Sequence, residues 1–257
     1  MDTQEDPMEL SEFFAANPQV AVAFSGGVDS AYLLYEAARH GARVKAYFVK
    51  TAFQPDFELA DGEKLARQLG VELEILPVEV LCRREIVENG PRRCYFCKTA
   101  LFQALIAKAQ ADGFSLVVDG TNASDQVTDR PGMQALAELG VRSPLRECGL
   151  SKAEIRERSR RAGLFTADKP AYACLATRIP TGEEITEEKL ARTQWAETYL
   201  HQLGLRDFRV RLCQDLARIQ VRQEDIPLVL EQREAINAYL TERYRGVVLD
   251  LEVRHGI

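Results

Sequence analysis

The chain of 257 residues is long enough for a main domain and a smaller second one. Its hydrophobic content of 46% and charged content of 28% are ordinary for a globular protein, and a net charge of −6 argues against a surface that attracts polyanions. The acidic start of the chain does not have the basic region of a signal peptide, and no apolar run is long enough to span a bilayer. We therefore expect a cytoplasmic protein that makes no membrane contact.

The cysteines of a cytoplasmic protein stay reduced, so they are expected to act as ligands, nucleophiles or core residues and not as a disulfide framework. The sequence has six of them: Cys82, Cys94, Cys97, Cys148, Cys174 and Cys213. Only three histidines are present, at scattered positions, and this argues against a histidine-rich metal site.

The first 150 residues alternate short apolar runs with longer amphipathic segments, which is typical of βαβ units in a parallel sheet. A polar stretch at 83–98 contains the motif Cys-x-x-Cys. The pattern predicts strands at 19–24, 44–49, 73–78 and 116–118, and helices at about 29–40, 57–69, 99–111 and 151–162.

The pattern changes at about residue 182, where a small α+β unit is predicted. Its elements are a helix at 187–203, strands at 208–211 and 216–221, a helix at about 224–244 and a last strand at 247–253. The sequence therefore predicts an α/β fold with a parallel sheet in a first domain, 1–181, and a second, smaller domain, 182–257.

The clearest motif lies between the first predicted strand and its helix, where residues 25–30 read Ser-Gly-Gly-Val-Asp-Ser. Paired glycines let the backbone approach an anion, and the N–H groups at the start of a helix bind phosphate. The motif is neither the loop of P-loop NTPases nor a dinucleotide fingerprint. We expect the nucleotide phosphates to contact Ala23, Phe24, Ser25, Gly26, Gly27, Asp29 and Ser30, with Asp29 also assisting Mg²⁺-ATP or capping the helix.

A second polar segment, Asp119–Asn122, follows the strand predicted at 116–118. The carboxyl ends of parallel strands meet at one sheet edge, so this segment should lie beside Ser25–Ser30. We expect Gly120, Asn122 and Asp125 to contribute to nucleotide or Mg²⁺ contacts, and a plain strand-to-helix turn is the alternative for each.

The cysteine motif is Cys94-Tyr95-Phe96-Cys97, and the basic residues Arg92, Arg93 and Lys98 beside it favour thiolates. It could form a redox pair or half of a zinc site. Together with Cys174 it could hold a 4Fe-4S cluster through three cysteines, which leaves one iron open to a ligand such as sulfide. Cys174 could also donate its sulfur alone.

Four arginines are candidates for anion binding. Arg130 and Arg178 could bind phosphate or carboxylate through a fork of N–H groups, with a surface ion pair as the alternative. Arg209 and Arg211 are two residues apart on a predicted strand, so both point to one face and could bind the phosphate of a substrate. A solvated sheet face is the alternative for this pair.

The motif Ser-Gly-Gly-x-Asp-Ser resembles the pyrophosphate loop of the N-type ATP pyrophosphatases, or PP-loop enzymes. These split ATP into AMP and pyrophosphate. Four stretches together resemble the LarE family of pyridinium-3,5-biscarboxylic acid mononucleotide sulfurtransferases, and the likeness covers nearly the whole chain. They are Ala23–Ser30; Asp119–Asn122 continuing to Asp129–Gly132; Cys174–Gly182; and Arg209–Arg211 with Asp215–Ile219.

The resemblance implies that ATP adenylates a substrate carboxylate, that sulfur displaces AMP, and that the thiocarboxylate contributes to the nickel-pincer nucleotide of lactate racemase. In one form of the family a single cysteine matching Cys174 gives up its sulfur and becomes dehydroalanine. In the other, cysteines matching Cys94, Cys97 and Cys174 carry a 4Fe-4S cluster. This chain has all three, so we expect the cluster form, with Thr177, Arg178, Arg130, Arg209 and Arg211 binding substrate. Homo-oligomerisation through the C-terminal domain, and a sulfide donor or other cofactor-maturation proteins as partners, are further expectations.

A PP-loop tRNA thiolase is the main alternative, but the chain is acidic and carries no added RNA-binding module, so nucleic acid is not an expected partner. An amidating synthetase is less favoured, since nothing resembles a glutaminase. A nucleotide-sensing or iron–sulfur-sensing protein without catalysis is the alternative from another class.

Overall fold

The computed structural model describes residues 8–125 and 131–254. Up to residue 125 its elements are α1 (Leu10–Ala16), β1 (Gln19–Ala23), α2 (Val28–Arg39), β2 (Arg43–Lys50), α3 (Asp56–Leu69), β3 (Glu72–Pro77), α4 (Arg84–Val87), α5 (Arg93–Ala111) and β4 (Val117–Asp119). From residue 131 they are α6 (Pro131–Glu138), α7 (Pro144–Glu147), α8 (Lys152–Arg161), a 3-10 turn (Leu175–Arg178), α9 (Glu187–Gln202), β5 (Arg209–Cys213), β6 (Leu216–Gln220), a 3-10 turn (Gln223–Asp225), α10 (Ile226–Glu231), α11 (Arg233–Leu240) and β7 (Gly246–Leu249).

These elements form two compact units. The described residues of 1–51, 56–80 and 94–169 make up the front unit, and those of 52–55, 81–93 and 170–257 make up the C-terminal unit. The division predicted from sequence placed the boundary between 181 and 182. Residues 170–181 belong with the C-terminal unit because, for example, Arg178 pairs with Glu197 of α9.

The front unit is built on a four-stranded sheet in the order β3-β2-β1-β4, with every neighbouring pair parallel. Its central strand β1 reads Gln-Val-Ala-Val-Ala, and Val20, Ala21 and Val22 are all fully buried. A continuous apolar run is what a parallel strand covered on both faces requires. The predicted α/β fold with a parallel sheet is confirmed.

Helices cover both faces of this sheet. On one face, Val20 and Val22 pack in a core that includes Leu33 of α2 and Ile155 of α8. On the other face, Ala21 and Tyr47 pack against Leu105 and Ala109 of α5. The alternation of side chains along β1 therefore serves two cores at once.

The strand order places a topological switch point between β1 and β4. The chain leaves β1 through α2 towards β2 and β3, whereas β4 pairs with the other side of β1. Open parallel sheets bind ligands at the carboxyl ends of the strands beside such a point. The residues that follow β1 and β4, including Ser25–Ser30 and Gly120–Asp125, are therefore placed where a ligand site is expected.

The C-terminal unit contains a three-stranded sheet, with β5 antiparallel to β6 and β6 parallel to β7. One face packs on α9 and α11 through a core that includes Val210, Leu212, Leu200 and Leu240. The predicted order of helix, two strands, helix and strand is present, with a smaller sheet than that of the front unit.

Several predicted elements differ from the structure. The helix predicted at 99–111 begins at Arg93, so the cysteine motif lies in its first turn and not in a loop. The helix predicted at 224–244 is divided into α10 and α11, because Gln232 between them leaves the α conformation at φ −90° and ψ 10°. Pro227 lies in the first turn of α10, where a proline is tolerated. The last strand ends at Leu249 and not at Val253. The helices α1, α4, α6 and α7 were not predicted.

Among the described residues, no helix combines the length and the apolar character that a membrane crossing requires.

Candidate functional site

The phosphate loop, residues Ser25–Ser30, joins β1 to α2, and its two glycines have separate functions. Gly26 has φ 74°, a left-handed conformation, and a Cβ there would lie 2.9 Å from the backbone oxygen of Glu58. Gly27 is the N-cap of α2 in an extended conformation. Only glycine therefore fits position 26 without strain, and α2 begins at Val28, directly after Gly27.

The two serines of the phosphate loop hold its shape. The Ser30 hydroxyl accepts a hydrogen bond from the backbone N–H of Ser25 at 3.2 Å and donates to the Gly27 carbonyl at 3.2 Å. The hydroxyls of Ser25 and Ser30 are also 3.1 Å apart. The sequence predicted these hydroxyls as phosphate donors, and the structure places both at the start of α2.

Lys169, the last residue of the front unit in the sequence, contacts the phosphate loop and was not among the predicted site residues. Its ammonium group donates to the Gly26 carbonyl at 3.2 Å and forms an ion pair with Asp61 of α3 at 2.7 Å. The side chain is 13% exposed. Lys169 therefore ties the left-handed turn at Gly26 to α3.

The segment after β4 reaches the phosphate loop as predicted. A Cβ on Gly120 would lie 2.7 Å from the backbone nitrogen of Ser30, so only a glycine allows this close approach of the two chains. The buried amide of Asn122 lies 3.4 Å from the carboxylate of Asp29, and the Asn122 backbone N–H donates to Asp125 at 3.0 Å. Gly120, Asn122 and Asp125 are thus brought together with Asp29.

Asp29 forms an ion pair with Lys152, the first residue of α8. Burial raises the pKa of the Asp29 carboxyl, and the ammonium group of Lys152 opposes that rise. The Lys152 backbone N–H also donates to the Ser124 hydroxyl at 3.0 Å, so α8 is joined to the segment after β4. Lys152 was not among the predicted site residues.

Two of the predicted nucleotide contacts belong to the end of β1. Ala23 is its last residue and is partly buried, whereas Phe24 is 2% exposed and packs against Gly62 of α3. The Phe24 backbone N–H donates to the Tyr47 carbonyl at 2.9 Å. Arg130, predicted to bind substrate, lies outside the described residues.

Cys94 and Cys97 lie in the first turn of α5, three residues apart and therefore on the same side of the helix. Cys94 is exposed and Cys97 is partly buried. The hydroxyl of Tyr95, between them, donates to Glu138 of α6 at 2.6 Å, and this bond holds the first turn of α5 beside α6. The two thiols are thus presented together at the surface of the front unit.

Cys174 lies in the C-terminal unit, immediately before the 3-10 turn Leu175–Arg178, and is partly buried. The backbone N–H and the hydroxyl of Thr177 both donate to the Cys174 carbonyl, at 3.0 and 2.8 Å. The Leu175 backbone N–H donates to the Phe53 carbonyl at 2.9 Å. We call residues Ala173–Arg178 the cysteine segment.

Arg178 is 1% exposed and its guanidinium group makes a fork-like pair with Glu197 of α9, at 2.7 and 3.1 Å. It also donates to the Ala173 carbonyl at 2.9 Å and to the Thr177 hydroxyl at 2.8 Å. Burial alone would lower the pKa of Arg178, but the Glu197 carboxylate more than offsets this, and the pKa is raised. Arg178 is therefore a charged group held inside the cysteine segment.

Arg209 and Arg211 share one face of β5, opposite to the core residues Val210 and Leu212, as predicted. Arg209 is 5% exposed and donates to the Phe208 carbonyl at 2.6 Å and to the Ala171 carbonyl. Arg211 is partly buried and donates to the Thr177 carbonyl at 3.0 Å. Both arginines therefore contact backbone within or just before the cysteine segment.

Other guanidinium groups act on this pair, and the carboxylates of Glu197, Asp207 and Asp250 partly offset their charge. Burial and the nearby Arg178 and Arg254 guanidinium groups lower the pKa of Arg209 to about 10. Burial and Arg178 also lower the pKa of Arg211. A bound anion would relieve this repulsion, so the arrangement favours phosphate or carboxylate.

Two more residues hold the cysteine segment and the chain that follows it: Arg93, which the sequence suggested only as a basic neighbour of the thiols, and Asn89, which sequence reasoning missed. Arg93 donates to the Ala176 carbonyl at 2.9 Å and to the Asn89 side chain at 2.9 Å. Buried Asn89, which has φ 53°, donates to the Pro180 carbonyl at 2.8 Å. Asparagine is one of the few residues that adopt this left-handed conformation readily.

The predicted site residues thus fall into sets in different units. The front unit brings together the phosphate loop with Gly120, Asn122 and Asp125, and separately presents Cys94 and Cys97. The C-terminal unit brings together Cys174, Thr177, Arg178, Arg209 and Arg211. Within the described residues there is no group of three or more His, Cys, Asp and Glu side chains placed to hold a metal ion.

The sequence is similar to several known proteins. The family model described as queuosine biosynthesis protein QueC matches residues 19–89, which contain the phosphate loop. An uncharacterized protein of Synechocystis sp. is 39% identical over 95% of this chain and 92% of its own length. Proteins named tRNA-specific 2-thiouridylase MnmA, for example from Thermotoga maritima, are 29% identical over 46% of this chain and 40% of their own length.

The decisive relative is a protein of Lactiplantibacillus plantarum named pyridinium-3,5-bisthiocarboxylic acid mononucleotide synthase. It is 32% identical over 236 residues, which are 91% of this chain and 86% of that protein. The alignment is too long to be confined to either unit. The resemblance found in the sequence is confirmed: the chain belongs to the LarE family, the family of this synthase, and its front unit is a PP-loop domain.

Proposed function

We propose that this protein is an ATP-dependent sulfurtransferase that converts a carboxylate of pyridinium-3,5-biscarboxylic acid mononucleotide into a thiocarboxylate. The observation that carries the proposal is the 32% identity over 91% of the chain to the synthase of Lactiplantibacillus plantarum. The geometry supports it, because the front unit contains the phosphate loop and the C-terminal unit contains Cys174 in a segment that Arg211 contacts.

The first step is adenylation of the substrate. A carboxylate oxygen attacks the α-phosphorus of ATP, the bond to the β-phosphate oxygen breaks, and pyrophosphate leaves. Ser25, Ser30 and the first N–H groups of α2 would bind the departing pyrophosphate. Asp29 and Asp125, with the amide of Asn122, supply the oxygen ligands that Mg²⁺ prefers, and Mg²⁺ would neutralise charge on the phosphates.

The second step is attack of sulfur on the activated carbonyl carbon. The carbon–oxygen bond to AMP breaks, and AMP leaves with the electron pair of that bond. The product is a thiocarboxylate when the sulfur arrives as sulfide. When the sulfur is that of Cys174, attack first gives a thioester. A base then removes the Cα proton of Cys174, the S–Cβ bond breaks with its electron pair on sulfur, and the thiocarboxylate leaves dehydroalanine at that position.

For the source of sulfur, we propose the cluster form. Cys94, Cys97 and Cys174 would hold a 4Fe-4S cluster, which supplies an open iron for an exogenous sulfur ligand. Thiolates are the ligands that such clusters require, and the adjacent thiols of the first turn of α5 fit two corners. Cys94 and Cys97 belong to the front unit and Cys174 to the C-terminal unit. The sacrificial use of Cys174 is the alternative, and iron analysis decides between the two.

The substrate phosphate and its second carboxylate would bind the basic groups near the cysteine segment. We propose Arg209 and Arg211 for the phosphate, with Thr177, Arg178 and Arg130 contributing contacts. The lowered pKa values of Arg209 and Arg211 support an anion there, since an added negative charge would offset the repulsion that Arg178 and Arg254 exert on both.

The product would serve the nickel-pincer nucleotide of lactate racemase. A sulfide donor or another cofactor-maturation protein is the partner that such a pathway would require. We also propose a homo-oligomer in the cytoplasm, with the substrate phosphate bound by the part of the chain that begins at residue 182. A PP-loop tRNA thiolase is less favoured, because the thiouridylase relatives cover only 46% of this chain.

The test is a reaction with full-length protein prepared without oxygen, ATP, Mg²⁺, sulfide and the pyridinium mononucleotide. We expect AMP, pyrophosphate and a product whose mass shows exchange of oxygen for sulfur. Unmodified tRNA in place of the mononucleotide is the parallel assay. Sulfur transfer to tRNA alone would overturn the proposal in favour of the thiolase, and absence of AMP with either substrate would refute the adenylating mechanism.

A further inference from the structure

Glu197 of α9 is a buried carboxylate, 6% exposed, that accepts four hydrogen bonds from three parts of the C-terminal unit. One oxygen accepts from Arg178 Nε at 2.7 Å and from the Val210 backbone N–H at 2.9 Å. The other accepts from Arg178 Nη2 at 3.1 Å and from the Tyr172 hydroxyl at 2.6 Å. This set fills the lone-pair positions of an ionised carboxylate.

Two of these partners, Tyr172 and Arg178, lie on either side of Cys174 in the sequence. Tyr172 comes two residues before Cys174 and Arg178 four residues after it. Arg178 carries the connection further, because its guanidinium group donates to the Ala173 carbonyl at 2.9 Å and to the Thr177 hydroxyl at 2.8 Å. Glu197 therefore holds both ends of the chain around Cys174 through one carboxylate.

The third partner is Val210 of β5, the strand that carries Arg209 and Arg211. Val210 lies between Arg209 and Arg211 on β5, and its N–H is bound by Glu197. The Tyr172 ring also makes cation–π contacts, because the guanidinium groups of Arg178 and Arg209 lie 4.6 and 5.2 Å from its centre. Glu197 thus joins β5 to the cysteine segment, in addition to the direct bonds from Arg209 to Ala171 and from Arg211 to Thr177.

We propose that Glu197 is a positioning residue for sulfur transfer, which sets the placement of Cys174 relative to Arg209 and Arg211. The proposal rests on the proposed function, because it assumes that the cysteine delivers sulfur to a substrate held by the arginines. It adds a residue that makes no contact with substrate and acts through Arg178, Tyr172 and Val210.

The chemistry requires glutamate at this position. Glutamine has the same shape, but its NH₂ group would face two hydrogen-bond donors, either Arg178 with Tyr172 or Arg178 with Val210. The change would also leave the buried guanidinium group of Arg178 without its counter-charge. Aspartate keeps the charge but is one methylene shorter, so it cannot reach all three partners from the same α9 backbone.

The experiment compares Glu197→Gln with the wild-type full-length chain. Hydrogen exchange of the amides in residues 172–179 should become about tenfold faster, whereas exchange in α2 should not change. The kcat of sulfur transfer should fall at least about tenfold, while AMP formation and the KM for ATP stay within about twofold. Glu224→Gln, which alters an exposed ion pair with Arg222 in the same unit, is the matched control and should behave as wild type.

Tyr172→Phe is the milder second variant, because it keeps the ring and removes one hydrogen bond to Glu197. It should accelerate exchange of the same amides by about fivefold and serves if Glu197→Gln does not fold. Wild-type exchange in 172–179 with unchanged sulfur transfer would overturn the proposal. An equal loss of AMP formation and sulfur transfer would assign Glu197 a general structural role. If the wild type transfers no sulfur, the proposed function fails, but the exchange comparison still decides what Glu197 positions.

Discussion

The ammonium group of Lys152 contacts the carboxylate of Asp29, although the two residues lie 123 positions apart in the sequence. Asp29 is the only acid in the phosphate loop, and it stands beside the amide of Asn122. The ion pair connects the start of α8 to the start of α2, so the phosphate loop is held from two directions, by Lys152 at Asp29 and by Lys169 at Gly26.

The first prediction concerns Asp29. Asp29→Ala should lower the rate of AMP formation at least about 100-fold. It removes a proposed Mg²⁺-ATP contact and leaves Lys152 without its counter-charge. The measurement is AMP and pyrophosphate release. Asp56→Asn, in the first turn of the neighbouring α3, changes an exposed acid and should retain activity. Normal turnover of Asp29→Ala would disprove the assigned function of the phosphate loop.

A second prediction tests the close approach of the segment after β4 to α2. Gly120→Ala places a Cβ 2.7 Å from the Ser30 backbone nitrogen, so the first turn of α2 must move. We expect a loss of about 1–3 kcal/mol in the free energy of unfolding and ATP binding weakened about tenfold or more. Denaturant unfolding and calorimetric titration with ATP measure the two effects.

The control for this change is Gly90→Ala, since a Cβ on Gly90 would meet no atom within 4 Å. It should change ATP affinity by less than about twofold. Tight ATP binding by Gly120→Ala would show that the contact between the two chains is not needed to shape the phosphate loop.

The parts of the site that the sequence predicted are those with local signals. The glycines at 26 and 27 are needed for backbone conformation, and the strand–loop–helix context identifies a phosphate loop without knowledge of distant contacts. Asn122 and Asp125 followed from a topological rule, because parallel strands end at one edge. Both inferences needed only the order of elements along the chain.

The missed residues are those whose partners lie far away in the sequence. Lysine and glutamate are usually exposed, so nothing in the sequence around Lys152, Lys169 or Glu197 suggests buried ion pairs. The start of α5 was missed for another reason. Cysteine, tyrosine and phenylalanine are weak helix formers, and Pro91, two residues before the helix begins, indicates a loop.

A third prediction addresses the cysteines. Protein purified without oxygen should contain about four irons and acid-labile sulfide per chain and show broad visible absorption. Cys97→Ala should lose iron and sulfur transfer but retain ATP binding, because Cys97 lies in α5 and is not part of the phosphate loop. Cys82→Ala changes an exposed cysteine outside the proposed set and should keep its iron.

The contrary result would be informative about the source of sulfur. Wild-type sulfur transfer by Cys97→Ala, or absence of iron after anaerobic reconstitution, would assign the sulfur to Cys174 alone. Mass spectrometry of the reacted protein would then show dehydroalanine at that position.

A fourth prediction concerns stability in acid. Hydrogen bonds from Lys108, Lys45 and Tyr47 hold the pKa of Asp112 well below its ordinary value of 3.8. A lowered folded-state pKa means that the unfolded chain binds the proton more readily. The stabilisation is therefore present above the ordinary value and is lost as the pH falls below it.

Asp112→Asn should remove this dependence, so its urea midpoint should fall less than that of the wild type between about pH 5 and about pH 3. Asp168→Asn, which alters an exposed pair with Arg160, should follow the wild-type profile. Parallel profiles for Asp112→Asn and the wild type would contradict the assignment.

A fifth prediction distinguishes the buried thiol from the exposed ones. Cys148 is 7% exposed in the core of the front unit, and burial, with Glu147 nearby, raises its pKa to about 11 from an ordinary 9.0. The thiolate is the reactive form of cysteine. A rise of about two units in the pKa of Cys148 reduces its thiolate fraction at pH 8 by about 100-fold. Iodoacetamide should therefore modify Cys213, which is exposed, long before Cys148, and urea should abolish the difference. Equal native rates, measured by peptide mass spectrometry, would mean that the core around α7 opens faster than the reagent reacts.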